Sequence, residues 1–172
     1  MEVKTVIRDL VLIAILSAAS FAGRVVMAVL PGVQPTTVII IVTTLALGLK
    51  HGLAVAILST VLSNMYLGHG SWTLFQILGW SAVAVASFLF GKTPFKQHLY
   101  IGSIFAGLMG MLFGALVSLD GLLYGFKYRV YYLAGLPHDL SHALGNVIIY
   151  FVLGNRLLTL LKKHAQAYYK DV

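Results

Sequence analysis

Apolar residues run along this chain in long stretches, broken by short segments of Gly, Pro and polar side chains. Six stretches can be marked off, at residues 6–30, 36–49, 52–66, 72–90, 99–119 and 139–161. A bilayer core takes about twenty apolar residues of α-helix, so the first stretch is long enough by itself, with some tilt. The second and third are short and separated only by Lys50 and His51, so irregular ends are expected there. None shows the apolar–polar alternation of a barrel strand, and each is read as a helix. Residues 120–137 read as a long loop before the sixth.

Composition makes lipid the solvent. Of 172 residues, 59% are hydrophobic and only 10% charged. A soluble domain of this size cannot hide so much apolar surface. The expected fold is an all-α integral membrane protein, one domain over residues 1–172 with six transmembrane helices. A cleaved signal peptide is not expected, because the first stretch is too long and lacks a clear small-residue cleavage site. The absence of cysteine excludes disulfides and thiolate metal sites.

Charge then orients the chain. With six spans both termini share one side, which carries Lys4, Arg8, Lys50, Lys92, Lys96, Arg156, Lys162, Lys163 and Lys170. The other side carries Arg24, Lys127 and Arg129. Basic residues concentrate on the cytoplasmic side of membrane proteins, so both termini are expected there. The net charge of +7 then reports orientation and gives no reason to invoke nucleic acid. The run 157–163 reads as an inner anchor, with partner docking as the other reading.

The outward connections differ in chemistry from the inward ones. They read PGVQPTT, NMYLGHGSWTLFQ and DGLLYGFKYRVYYLAGLPHD. Interfacial aromatics commonly serve as anchors, and Tyr66, Trp72 and Tyr131 are also candidates to bind a ligand. That role does not explain the polar residues gathered near them: Arg24, Gln34, Asn64, His69, Gln76, His138, Asp139, His142 and Asn146. A charge within hydrocarbon costs about 2.5–3.5 kcal/mol on insertion scales, so such groups face an interior or a wet cavity. Together they suggest an outward-facing polar and aromatic pocket.

Individual groups carry two readings each. Arg24 either snorkels to the interface or donates to a ligand's amide, carboxylate or phosphate. Trp72, Gln76 and Trp80 recur every four residues and either pack against a neighbouring helix or stack on a flat ligand. In PHDLSH, Asp139 suits the first turn of a helix, beside its dipole. His138, Asp139 and His142 could approach a metal, but spacing places no third strong ligand, and no metal site is expected. FGKT at residues 90–93 resembles the end of a phosphate loop. That pattern needs a glycine at position 86, where Ala86 stands, and an upstream strand. No nucleophile is indicated, and no enzyme activity is expected of this chain.

In the first stretch Ala14, Ala18 and Ala22 recur every four residues on one helix face. A small-residue stripe lets another helix approach closely, from this chain or from a partner. With AILSA, the size, the six spans and the cytoplasmic termini, the chain resembles the substrate-binding S-component of an energy-coupling factor (ECF) type ABC transporter. The resemblance covers nearly the whole chain. It implies capture of a vitamin or metal ion from outside, toppling in the membrane, and release inside. It also implies a transmembrane coupling subunit with two ATPase subunits as partners, docked on Ala14 and Ala18 with Ala22 as a flank. The expected location is the prokaryotic plasma membrane.

SNMYLGHGSWTLFQILGW looks like a segment of S-components associated with cobalamin or with unassigned vitamins. Cobalamin is large and edged with amides, and suits a wide pocket of Tyr, Trp, Asn and Gln with few fixed charges. It is the first expectation, with no intrinsic cofactor. A carboxylate vitamin such as pantothenate or folate would instead favour a committed cation such as Arg24; a queuosine precursor is a further candidate. Glu2 departs from the metal-transport pattern. An intramembrane enzyme using His138, Asp139 and His142, or an assembly subunit without ligand, are the readings from other classes.

Overall fold

A computed structural model describes residues 2–169, with side chains over residues 6–166. Lys170 and the side chain of Lys4 lie outside the described residues. The α-helices are α1 (Glu2–Val26), α2 (Thr36–Leu47), α3 (Leu49–Leu67), α4 (Trp72–Phe90), α5 (Leu99–Val117), α6 (Tyr128–Ile149) and α7 (Asn155–Tyr169). No strand occurs among the described residues. Among the described residues four helical stretches are long and apolar enough to cross a bilayer: Val6–Val29, Trp72–Phe90, Leu99–Tyr124 and Tyr128–Gln166.

α2 sits at the centre. At 12 residues it is about 18 Å long, too short to cross a bilayer core alone. Val38, Ile40, Ile41 and Val42 are buried, and so are Thr36, Thr37, Thr43 and Thr44. A helix buried all round is a core element, and the others pack about it. Only Gly48 separates it from α3. Its φ of +92° is a conformation that glycine adopts without a steric penalty.

The last third departs from the sequence expectation. Residues 120–137 are not one long loop. A 3-10 segment covers Ser118–Tyr124, and α6 starts at Tyr128 and continues through Pro137. The YRVYYLAGL run holds only Gly135 as a weak helix breaker ahead of that proline, and helices in membrane proteins tolerate internal glycine and proline where neighbours compensate. Asp139 therefore stands in the helix interior, not in a first turn, and the dipole reading of it is withdrawn. The helix then loosens into a π segment, Tyr150–Gly154, before α7.

Apolar side chains point outward in stripes. On α4 these include Leu74, Leu78, Val85 and Leu89; on α6, Leu140, Leu144 and Ile148, continued by Phe151 in the π segment. Exposed apolar bands of this extent are what a lipid-facing surface requires. Inside, α5 meets α6 through glycines. A Cβ on Gly110 would fall 3.0 Å from the Ala143 Cα, and one on Gly107 would fall 2.7 Å from a Val147 methyl. Such close backbone approach is how membrane helices pack without a hydrophobic drive between them.

Candidate ligand-binding site

One end of the bundle holds a cavity of about 660 Å³, within the usual range for small-molecule sites. Arg24, Gln34, Gln76, Tyr131, His138 and Asp139 contribute its polar wall; Leu30, Val33, Leu67, Phe113 and Val117 are among its apolar residues. Five elements and the loop between α1 and α2 thus converge on it.

Arg24 is held entirely by neutral groups. Its Nη1 donates to Ser63 Oγ and, at 3.0 Å, to Asn64 Oδ1. These bonds occupy both Nη1 protons and leave Nη2 and Nε outside them. The guanidinium lies 5.0 Å from the centroid of Trp80, a cation–π contact. Among the described residues no carboxylate forms an ion pair with it. Asn64 is fixed in turn, with Nδ2 donating to Thr73 Oγ1 at 2.9 Å and to Gln76 Oε1 at 2.8 Å. Its amide oxygen is thereby turned to the cation.

A second network ties the loop between α1 and α2 to the core. An indole N–H can only donate, so Trp80 Nε1–H donates to Thr37 Oγ1 at 3.1 Å. The Thr37 proton is then directed at His142 Nε2, 3.1 Å away. His142 Nδ1–H donates to the Gly32 carbonyl at 2.7 Å. The tautomer follows from these partners, since a carbonyl only accepts. Ser141 Oγ donates to the Pro31 carbonyl at 2.8 Å. Gly32 has φ +79°, and a Cβ there would come 2.8 Å from the His138 carbonyl. Only glycine fits between this loop and α6.

The candidate residues therefore divide. Arg24, Gln34, Gln76, Tyr131, His138 and Asp139 are brought together in the wall. Asn64 and His142 are buried behind it, and Asn146 lies beside His142, with Nδ2 3.3 Å from Nε2. Tyr66 is exposed and packs edge-on against Phe21, at 6.1 Å between centroids. His69 is exposed, with Nδ1 3.3 Å from Thr73 Oγ1. Trp72 stays part-exposed beside Gly70. Thr37, Phe113, Ser63, Gly32 and Gly114 were missed from sequence. Nothing distinguishes Thr37 from its neighbour Thr36, or Gly114 from the other glycines of α5. Ala14, Ala18 and Ala22 are exposed along α1. Among the described residues no three His, Asp or Glu gather as a metal group.

A multi-pass helical membrane protein with a ligand-sized cavity walled by opposite charges is a membrane-embedded small-molecule binder. Comparison with curated proteins and with solved structures gives no match. One family does match, over residues 8–154: the chain belongs to the substrate-specific components of ECF transporters. Such a component binds substrate and works with an ECF module whose partner subunits carry the ATPases.

Proposed function

We propose that this chain captures an acid-bearing, vitamin-sized molecule from outside a prokaryotic plasma membrane and delivers it inward with an ATP-driven module. In this reading it has six spans and cytoplasmic termini, and the coupling subunit docks on Ala14 and Ala18, flanked by Ala22. The carrying observation is Arg24: a part-buried guanidinium in the cavity wall, held by Ser63, Asn64 and the Trp80 ring, with no carboxylate paired to it among the described residues. A charge taken out of water without a counter-charge is costly, and a ligand's acidic group would relieve that. Cobalamin suits a wide pocket with few fixed charges. Arg24 and Asp139 together in a cavity of about 660 Å³ favour the smaller acids, folate or pantothenate.

The experiment is calorimetric titration of the purified chain in detergent with folate, pantothenate and cobalamin. One acid should bind with saturable stoichiometry, and Arg24→Gln should weaken it about 10- to 100-fold, the worth of a charged hydrogen bond. Tight cobalamin binding that Arg24→Gln leaves unchanged would overturn the acid reading.

A further inference from the structure

Asp139 carries the opposite charge in the same wall, and among the described residues only the neighbouring His138 comes within ion-pair distance of it. Its side chain is 9% exposed, and Oδ2 is buried without a hydrogen-bond partner. His138 Nδ1 stands 3.7 Å from Oδ1, an ion pair when the imidazole is protonated but long for a hydrogen bond, and it leaves Oδ2 unpartnered. Among the described residues no lysine or arginine pairs with it. The backbone is shaped to admit the carboxylate: a Cβ on Gly114 would fall 2.1 Å from Asp139 Cγ and 2.2 Å from each oxygen. Position 114 is thus open only to glycine while Asp139 keeps this place. Interior to α6, the carboxylate satisfies no helix end either.

Arg24 and Asp139 share the cavity wall with an aromatic residue, Phe113. Phe113 lines the cavity and stacks on Trp80 with centroids 4.3 Å apart. The guanidinium covers Trp80, and Gly114, next to Phe113, backs the carboxylate. Cation, aromatic pair and anion follow one another along the site. We propose that Asp139 accepts a hydrogen bond from a ligand nitrogen, which makes the ligand amphoteric: an acidic group at Arg24, a flat body over Phe113, and an amino or ring N–H edge at Asp139. The proposal rests on the reading of Arg24 as the receptor of the acid. Buried acceptors without partners discriminate strongly, because a ligand that lacks the donor leaves them unpaired.

Two flat bicyclic acids test it: pterin-6-carboxylate, which has the N–H edge, and naphthalene-2-carboxylate, which lacks it. Thermal unfolding of the full chain in detergent is followed with and without each. Wild type should bind the pterin acid at least ten-fold more tightly. Asp139→Leu, similar in shape but without an acceptor, should erase that preference, and should raise the melting temperature of the ligand-free protein by removing a buried carboxylate whose Oδ2 lacks a partner. Arg24→Gln should weaken both probes alike. A wild type without the preference, an Asp139→Leu protein that retains it, or one that melts lower without ligand would each overturn the proposal. If Arg24→Gln changes neither probe while Asp139→Leu erases the preference, the acid reading fails and the Asp139 assignment stands.

Discussion

Thr37 offers the sharpest test of how the site is held. Fully buried on α2, it accepts from Trp80 Nε1 and faces His142 Nε2, each at 3.1 Å. Thr37→Val keeps the shape and deletes both bonds. The indole N–H is then buried without an acceptor, at a cost of about 1–3 kcal/mol. His142 Nε2 keeps Asn146 Nδ2 at 3.3 Å, so its loss is smaller; interhelical hydrogen bonds in membrane proteins average about 0.6 kcal/mol. Together these give about 2 kcal/mol of destabilisation. Thr37→Ser keeps the hydroxyl and removes one buried methyl, worth about 0.8 kcal/mol. Valine should therefore cost more than serine. Unfolding in mixed detergent and SDS micelles, read by tryptophan fluorescence, measures both. If valine is neutral and serine costly, Thr37 acts by packing alone, and the network argument is wrong.

Other substitutions probe the remaining parts. Gly32→Ala meets both the positive φ and the His138 carbonyl at 2.8 Å, and should destabilise by about 1–3 kcal/mol in the same assay. Asn64→Leu strips Arg24 Nη1 of one acceptor and frees Gln76; ligand affinity should fall even though Asn64 lies outside the cavity wall, and titration with the bound vitamin reads this. Leu in place of Ala14 or Ala18 adds bulk to an exposed face of α1, so ligand binding should persist while copurification with the ATPase module is lost. Normal copurification would remove that face from the docking interface.

Much of the fold was legible because lipid simplifies the pattern. Uninterrupted apolar runs with no room for strands leave helices, and the outer stripe on α4 recurs at helical spacing. The start of α6 was not legible. Pro137 carried a stop signal, and the residues before it are held by contacts outside the helix: Tyr128 Oη donates to the Ala115 carbonyl at 3.1 Å, and Tyr131 packs on Gly121. Of the site, the charges were visible, because Arg24 and Asp139 are costly in hydrocarbon whatever surrounds them. Their depth order was not. Whether a polar residue lines a cavity or stands behind it, as His142 does, depends on which neighbour it bonds, and that is fixed across separations such as the 105 residues between Thr37 and His142. Aromatics were misleading for the opposite reason. Tyr66 and Trp72 lie beside the candidate residues in the chain but outside the cavity wall, whereas Phe113, in the middle of an apolar run, forms its floor.

The bonds from Ser141 and His142 to Pro31 and Gly32 have a mechanical consequence. They fasten the loop between α1 and α2 to the same helix that presents His138 and Asp139. A movement of this loop must either carry the Asp139 stretch of α6 with it or break both bonds. Loop and carboxylate are thus parts of one lever, and a displacement of α6 is transmitted to the chain segment that lines the same cavity.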